Sequence, residues 1–280
     1  MLEMLTVDKI IKNALEEDLG WGDVTTDSTI PVQAQIKGSF IAKEAGVLCG
    51  IEVCKRVYEL LDSTILFEIL IKDGQKVQQG DIIAKITGPA RSILKGERVS
   101  LNLMQRMSGI ATAANKYAEA VQGTNAKVVD TRKTMPGLRI LDKYSVMTGG
   151  CHNHRFNLSD LILIKDNHIK AAGGITPAVK AAKEKLSHAL KIEVEVESLE
   201  QLREALDAGA DIVMLDNMTL DMMREAVQIA KGKALLEASG NVALEGERSA
   251  KAIAQTGVDI ISVGALTHSV SALDISLRFA

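Results

Sequence analysis

The stretch IEVEVESLEQLREALDAGADIVMLDN, residues 192–217, decides the fold. It opens on a short apolar run, IEVEVE (192–197), passes through a helical pattern over 198–208 and closes on a second run, DIVMLDN (211–217). Run, helix and run at this spacing make a strand–helix–strand unit, which implies parallel strands joined by a helical crossover. The unit repeats outward. KVVDT (127–131) and LILIKD (161–166) precede it, and ALLEASGN (234–241) and DIISVGA (259–265) follow. Helical patterns over 176–187, 219–231 and 245–256 fill most of the gaps. Six or so units predict an incomplete α/β barrel rather than a full eight-stranded one.

Upstream the texture differs. Leu5, Val7, Ile10, Ile11, Ala14, Leu15 and Leu19 predict an amphipathic helix over 3–19, ended by Gly20-Trp21-Gly22-Asp23. A loop through Thr25, Thr26 and Pro31 is expected next, then extended chain over 34–48 and a helix over 51–61. Residues 64–88 predict short strands punctuated by Asp73-Gly74, Gly80-Asp81 and Gly88-Pro89. A helix over 96–121, broken or redirected near Gly109, bridges to the repeats. DGQKVQQGDIIAKITG has the strand–turn geometry of biotinyl and lipoyl modules but lacks their lysine-bearing tip. The expected division is a small N-terminal domain over 1–110 and a barrel domain over 111–280.

With 280 residues, 46% apolar and 25% charged, the chain can bury a large core without disulfides or metals. A net charge of −3 argues against a nucleic-acid-coating protein and leaves anionic small molecules open. Cys49, Cys54 and Cys151 form no CxxC pair, so a reducing cytoplasm is the expected setting. No secretory leader or membrane span is read.

Polar groups recur at the C-terminal ends of the runs, where barrel enzymes place their active sites. They are Thr131, Arg132 and Lys133, then Lys165, Glu195 and Asp216, then Ser239-Gly240-Asn241, and finally Val263-Gly264-Ala265. Arg132, Lys133, Arg139, Lys143, His152, His154, Arg155 and Lys165 concentrate positive charge in an acidic protein. Arg132, Lys133 and Lys165 are expected in a pocket, whereas Lys143 reads as part of a solvated face. Arginine takes carboxylate or phosphate in a two-point fork and lysine adds a point charge. Glu195 and Asp216 suit sugar hydroxyls or a hydrated Mg²⁺, with a structural pairing of one of them to Lys165 equally open. Small residues at the last two ends let backbone N–H groups approach a phosphate. His152 and His154 have HxH spacing, but no matching carboxylate or cysteine pattern surrounds them, so His154 beside Arg155 reads as another donor to the anion. The pocket thus predicts a phosphorylated sugar meeting an anionic acceptor.

Motifs along essentially the whole chain resemble the quinolinate phosphoribosyltransferase family, also called carboxylating nicotinate-nucleotide pyrophosphorylases. They include EEDLGWGDVTT, GERVSLNLMQRMSGIAT (96–112), DTRKTMPGLRILDKYSV (130–146), GGCHNHRFNLSD (149–160), EVEVESLEQ (193–201), MLDN (214–217), LEASGN (236–241) and GALTHS (264–269). The resemblance implies an N-terminal α/β sandwich domain, an open α/β barrel and a homodimer or higher oligomer with shared sites. It implies quinolinate and phosphoribosyl pyrophosphate as substrates, Mg²⁺ as cofactor and NAD synthesis as the setting. By the same resemblance, Arg132, Lys133, His154, Arg155 and Lys165 meet the quinolinate carboxylates and the pyrophosphate, and Arg98 reaches in from a partner chain. Glu195 and Asp216 hold ribose hydroxyls and Mg²⁺. Ser239, Gly240 and Asn241, with Ser262, Val263 and Gly264, cradle the 5′-phosphate. Alternatives are a phosphoribosyltransferase for a different acid, a Schiff-base aldolase using Lys165, and a non-catalytic anion-binding protein.

Overall fold

The computed structural model describes residues 2–185, 187 and 189–279. Helix α1 (Met4–Leu19) buries Val7, Ile11 and Leu15, the expected stripe. The segment expected as a loop instead forms a short helix, α2 (Val24–Thr29), because Asp23 accepts the N–H of Thr26 at 2.9 Å and caps it. Strands β1 (Gln35–Ala42) and β2 (Gly46–Val47) follow, then α3 (Ile51–Leu61), β3 (Leu66–Ile69), β4 (Lys76–Val77) and β5 (Ile82–Pro89). Helix α4 runs unbroken from Ala90 to Ala120, against the expected break at Gly109. The glycine serves close approach: a Cβ there would lie 2.1 Å from the carbonyl oxygen of Ser271.

After α4 come β6 (Lys127–Val129), α5 (Arg139–Thr148), β7 (Ile162–Ile164), α6 (Asp166–Ala172) and α7 (Ile175–Lys185). The last answers the helix expected over 176–187, of which Leu186 lies outside the described residues. Then β8 (Ile192–Val196), α8 (Leu199–Ala208), β9 (Ile212–Asp216), α9 (Leu220–Ala230) and β10 (Leu235–Ser239) reproduce the strand–helix alternation. Helix α10 (Ala250–Ala254) is much shorter than the pattern over 245–256 suggested. Strand β11 (Ile260–Ser262), helix α11 (Ala265–His268) and strand β12 (Ile275–Phe279) complete the described chain.

The chain divides into two compact units. The first comprises the residues up to Asn115, Thr134–Gly150 and those from Leu266 on; the second comprises Lys116–Lys133 and Cys151–Ala265. In the first unit a four-stranded antiparallel sheet, ordered β12-β1-β5-β3, carries one core made by Phe40, Tyr58, Ile83, Ile86, Ile93 and Leu277. Phe40 meets Tyr58 edge-on at 6.2 Å, and the Tyr58 hydroxyl finds a buried partner in Ser100 at 2.9 Å. A second core joins α1, α3, α4 and α5 through Val7, Ile11, Val53, Val57, Leu103 and Leu141.

The second unit is built on six parallel strands in the order β6-β11-β10-β9-β8-β7. Their purely parallel pairing requires the crossovers read from sequence. Three of the crossover helices have their own start signal: Ser198, Thr219 and Ser249 accept backbone N–H groups at the starts of α8, α9 and α10. The sheet ends at β6 and β7, as an incomplete barrel does. The C-terminal ends of neighbouring strands are level, with Ser239 opposite Asp216 and Ser262 opposite Val129.

Candidate active site

At this edge of the six-stranded sheet lies a cavity of about 330 Å³ lined by Thr131, Arg132, Lys133, His154, Arg155, Leu163, Lys165, Met214, Glu237, Ser239 and Ser262. Eight of these are residues that the strand-end reading or the resemblance singled out. They come from the segments around β6, β7, β10 and β11 and from the 152–161 segment. That segment lies beside β6, where His152 bridges to Val129 and Asp130 accepts the N–H of His154 at 2.9 Å. Its far end approaches β7, where the Arg155 guanidinium donates to the carbonyl of Leu161 at 3.0 Å. Thr131 accepts the N–H of Lys133 at 3.1 Å and shapes the first strand end.

The cations share this cavity. Burial disfavours the charged form of Arg155, and the nearby charge of Arg132 lowers its pKa further. Two guanidinium groups in that relation are relieved by an anion placed between them. Lys165 pairs with Glu195, which brings Glu195 to the cavity although it does not line it. Asp216, at the end of β9, accepts from Asn217 at 2.9 Å.

Past β10 the chain is held in an unusual shape. Asn217 and Asn241 both have left-handed backbones, with φ of 53° and 51°, and Gly240 has φ of 88°. Such residues cluster where a loop must hold a specific form. Asn241 donates to the Asn217 side chain at 3.2 Å. The Arg248 guanidinium donates to the carbonyls of Ser239 at 3.1 Å and Gly240 at 2.8 Å, and also to that of Met218. A trans peptide carries its N–H opposite its carbonyl. The N–H groups of Gly240 and Asn241 therefore both point away from Arg248, a pair suited to an anion.

Of the remaining predicted residues, Val263 and Gly264 follow β11, Val263 being buried. Arg98 is exposed on α4 and belongs to the first unit, as do Arg139 and Lys143. Lys143 corrects the expectation of a solvated face: it is 1% exposed, because α5 buries Leu141, Asp142, Ser145 and Val146 along with it. His154 also departs from the sequence reading, which saw no carboxylates around it. Its Nε2 lies 3.2 Å from Glu193 and 3.2 Å from Glu237, both fully buried. These arrive from β8 and β10, far away in sequence. Burial works against a charged ring, while the two carboxylates work for one. Burial likewise raises the Glu193 carboxyl.

Glu193, Glu237, Asn217, Asp130 and Arg248 were missed as site residues. The two glutamates had a readable signal. Glu193 precedes Glu195, and Glu237 precedes Ser239, by two residues, and residues two apart on a strand share a face.

Residues 23–108 match the family described as "Quinolinate phosphoribosyl transferase, N-terminal domain", and residues 110–278 match its C-terminal domain. The chain belongs to the quinolinate phosphoribosyl transferase family. It is 44% identical over 273 residues to a probable carboxylating nicotinate-nucleotide pyrophosphorylase of Bacillus subtilis, covering 98% of this chain and 93% of that protein. It is also 44% identical to the chloroplastic carboxylating enzyme of Arabidopsis thaliana, over 96% of this chain and 81% of that one. The crystal structure of NadC from Streptococcus pyogenes superposes with a TM-score of 0.94 at 41% identity, covering 100% of this chain and 99% of that one.

Proposed function

We propose that the chain joins quinolinate to phosphoribosyl pyrophosphate, giving nicotinate mononucleotide, pyrophosphate and CO₂ in NAD biosynthesis. One observation carries this reading: four cations, Arg132, Lys133, Arg155 and Lys165, line the same cavity as the small strand ends Ser239 and Ser262. Quinolinate is a dianion at neutral pH, so the guanidinium forks of Arg132 and Arg155 select it over neutral pyridines. The 5′-phosphate of the sugar takes the N–H pair of Gly240 and Asn241, with Ser262, Val263 and Gly264 beside it.

As C1 of the ribose parts from pyrophosphate, the sugar gains oxocarbenium character, and Glu195 and Asp216 supply fixed negative charge beside it. Lys133 and Lys165 offset the charge on the departing pyrophosphate. The pyridine nitrogen forms the bond to C1 and becomes cationic. The electron pair left when the adjacent carboxylate departs as CO₂ stays on the ring carbon, stabilised by the neighbouring cationic nitrogen, and takes up a proton from water. No protein nucleophile is needed. The ion pair to Glu195 argues against a Schiff-base lysine at Lys165.

The donor set suits Mg²⁺, which takes one or two carboxylates and completes its shell with water and substrate phosphates. Glu195 and Asp216 would hold it, and when bound it would neutralise pyrophosphate charge. The first unit leaves Leu5, Trp21, Val24 and Val32 exposed. An apolar surface of that kind suits a second copy of the chain, in which Arg98 of each chain would serve the other's site. The three buried free thiols suit a reducing compartment such as the cytoplasm, and among the described residues no helix is long and apolar enough to cross a membrane.

The test is direct: purified protein with quinolinate, phosphoribosyl pyrophosphate and Mg²⁺ releases CO₂ and forms nicotinate mononucleotide. Turnover with nicotinate and none with quinolinate refutes the assignment. Arg98→Ala and Arg132→Ala chains, each inactive alone, recover part of the activity when mixed. No recovery, with subunit exchange confirmed, removes the shared site.

A further inference from the structure

Glu193 and Glu237 are buried carboxylates for which the reaction has no direct use. Both side chains are fully buried, and beyond their contacts to His154 none of their four oxygens has a hydrogen-bond partner among the described residues. Apolar residues of similar size would fill such space at less cost, so stability does not explain them. What they hold is a better explanation.

They hold one atom. His154 Nε2 sits 3.2 Å from each carboxylate. The other ring nitrogen, Nδ1, accepts the N–H of Arg155 at 2.7 Å. Nδ1 thus uses its lone pair and Nε2 carries the hydrogen. The three side chains are close enough to suggest a metal site. A metal, however, would need the Nε2 lone pair, which the tautomer set by Arg155 denies it. The carboxylates therefore flank the Nε2–H as its two charged neighbours.

This fixes Arg155. Asp130 anchors the backbone N–H of His154 at 2.9 Å, the glutamates hold the ring from inside the sheet, and the ring holds the next backbone N–H. The Arg155 guanidinium, tied at one nitrogen to Leu161, is then presented to the cavity from a backbone fixed at two successive residues. Resting on the quinolinate reading above, we infer that Glu193 and Glu237 are positioning residues, which through His154 place the Arg155 guanidinium that receives the acceptor's carboxylate. The sugar-phosphate side has a separate support in Arg248 and Asn217, so the two substrates respond differently to loss of the clamp.

The experiment compares two double variants of the full-length enzyme. Glu193→Leu with Glu237→Leu fills the space and removes both acceptors; Glu193→Gln with Glu237→Gln keeps an acceptor oxygen at each position. The leucine pair raises KM for quinolinate about tenfold or more while KM for phosphoribosyl pyrophosphate stays within about twofold. The glutamine pair shows the same split at a clearly smaller size, because an acceptor oxygen remains beside the ring. Calorimetric titration with quinolinate alone gives the same order without turnover. Where the leucine pair does not fold, Glu193→Leu alone takes its place, with the same split expected at a smaller size. Equal change in both KM values, no change in either, or a glutamine pair as impaired as the leucine pair overturns the inference. A wild type that makes nicotinate mononucleotide while its variants show no split sinks this inference alone. A wild type that makes none sinks the functional reading with it.

Discussion

Replacing Gly240 by alanine tests the phosphate cradle at its most constrained point. Its φ of 88° is a region that alanine enters only under strain, of about 1–2 kcal/mol. The added Cβ would lie 2.1 Å from Asn217 Oδ1 and 2.6 Å from Asn217 Cγ, so that side chain must leave. Its departure breaks the bond from Asn217 to Asp216 at 2.9 Å and the bond from Asn241 to Asn217 at 3.2 Å. Both are exposed, and at about 0.5 kcal/mol or a little more each they bring the total to about 2–3 kcal/mol. Relief by moving the loop would misalign the two N–H groups, and a shift of about 1 Å at a positioned group can lower turnover about 100-fold. Gly240→Ala should therefore lower the melting temperature by several degrees and raise KM for phosphoribosyl pyrophosphate about tenfold or more. Quinolinate binding, followed by calorimetry, should hold steady. Unchanged KM for phosphoribosyl pyrophosphate in a folded variant would refute the cradle argument.

Gly109→Ala adds a better helix former inside α4, yet its Cβ meets the Ser271 carbonyl at 2.1 Å. Differential scanning calorimetry should show a lower melting temperature, because the clash outweighs a propensity gain of about 1 kcal/mol. Arg106 binds the fully buried Asp142 through two nitrogens, at 2.9 and 2.8 Å. Arg106→Ala leaves that buried carboxylate without its guanidinium partner and with the Met135 N–H at 3.2 Å still beside it, and denaturant unfolding should register a loss of about 3 kcal/mol.

The parallel sheet was legible because the strand–helix–strand units carry their own signals: a short apolar run followed by a helical pattern and a second apolar run. The cavity residues followed from one rule, that strand ends converge. The rest failed for identifiable reasons. Gly109 looks the same in sequence whether it breaks a helix or admits a neighbouring backbone. Lys143 has the composition of a surface residue, and only packing on several sides of α5 buries it. Arg248 acts on carbonyl oxygens that folding assembles from two loops, so no local pattern reveals it. Glu193 and Glu237 were within reach of the two-residue strand period, but their common target, His154, comes from a different part of the chain.

The pairing of β1 with β12 places Gly38 opposite Phe279, so the strand beside β1 is separated from it by the entire second unit. During synthesis the ribosome makes every parallel strand before it delivers that partner. Until then one side of β1 presents unpaired backbone groups, an open template for other extended chains. Assembly of the first unit is therefore tied to the synthesis of β12: a ribosome stalled anywhere within the second unit yields a chain that chaperones and proteases can recognise by that edge.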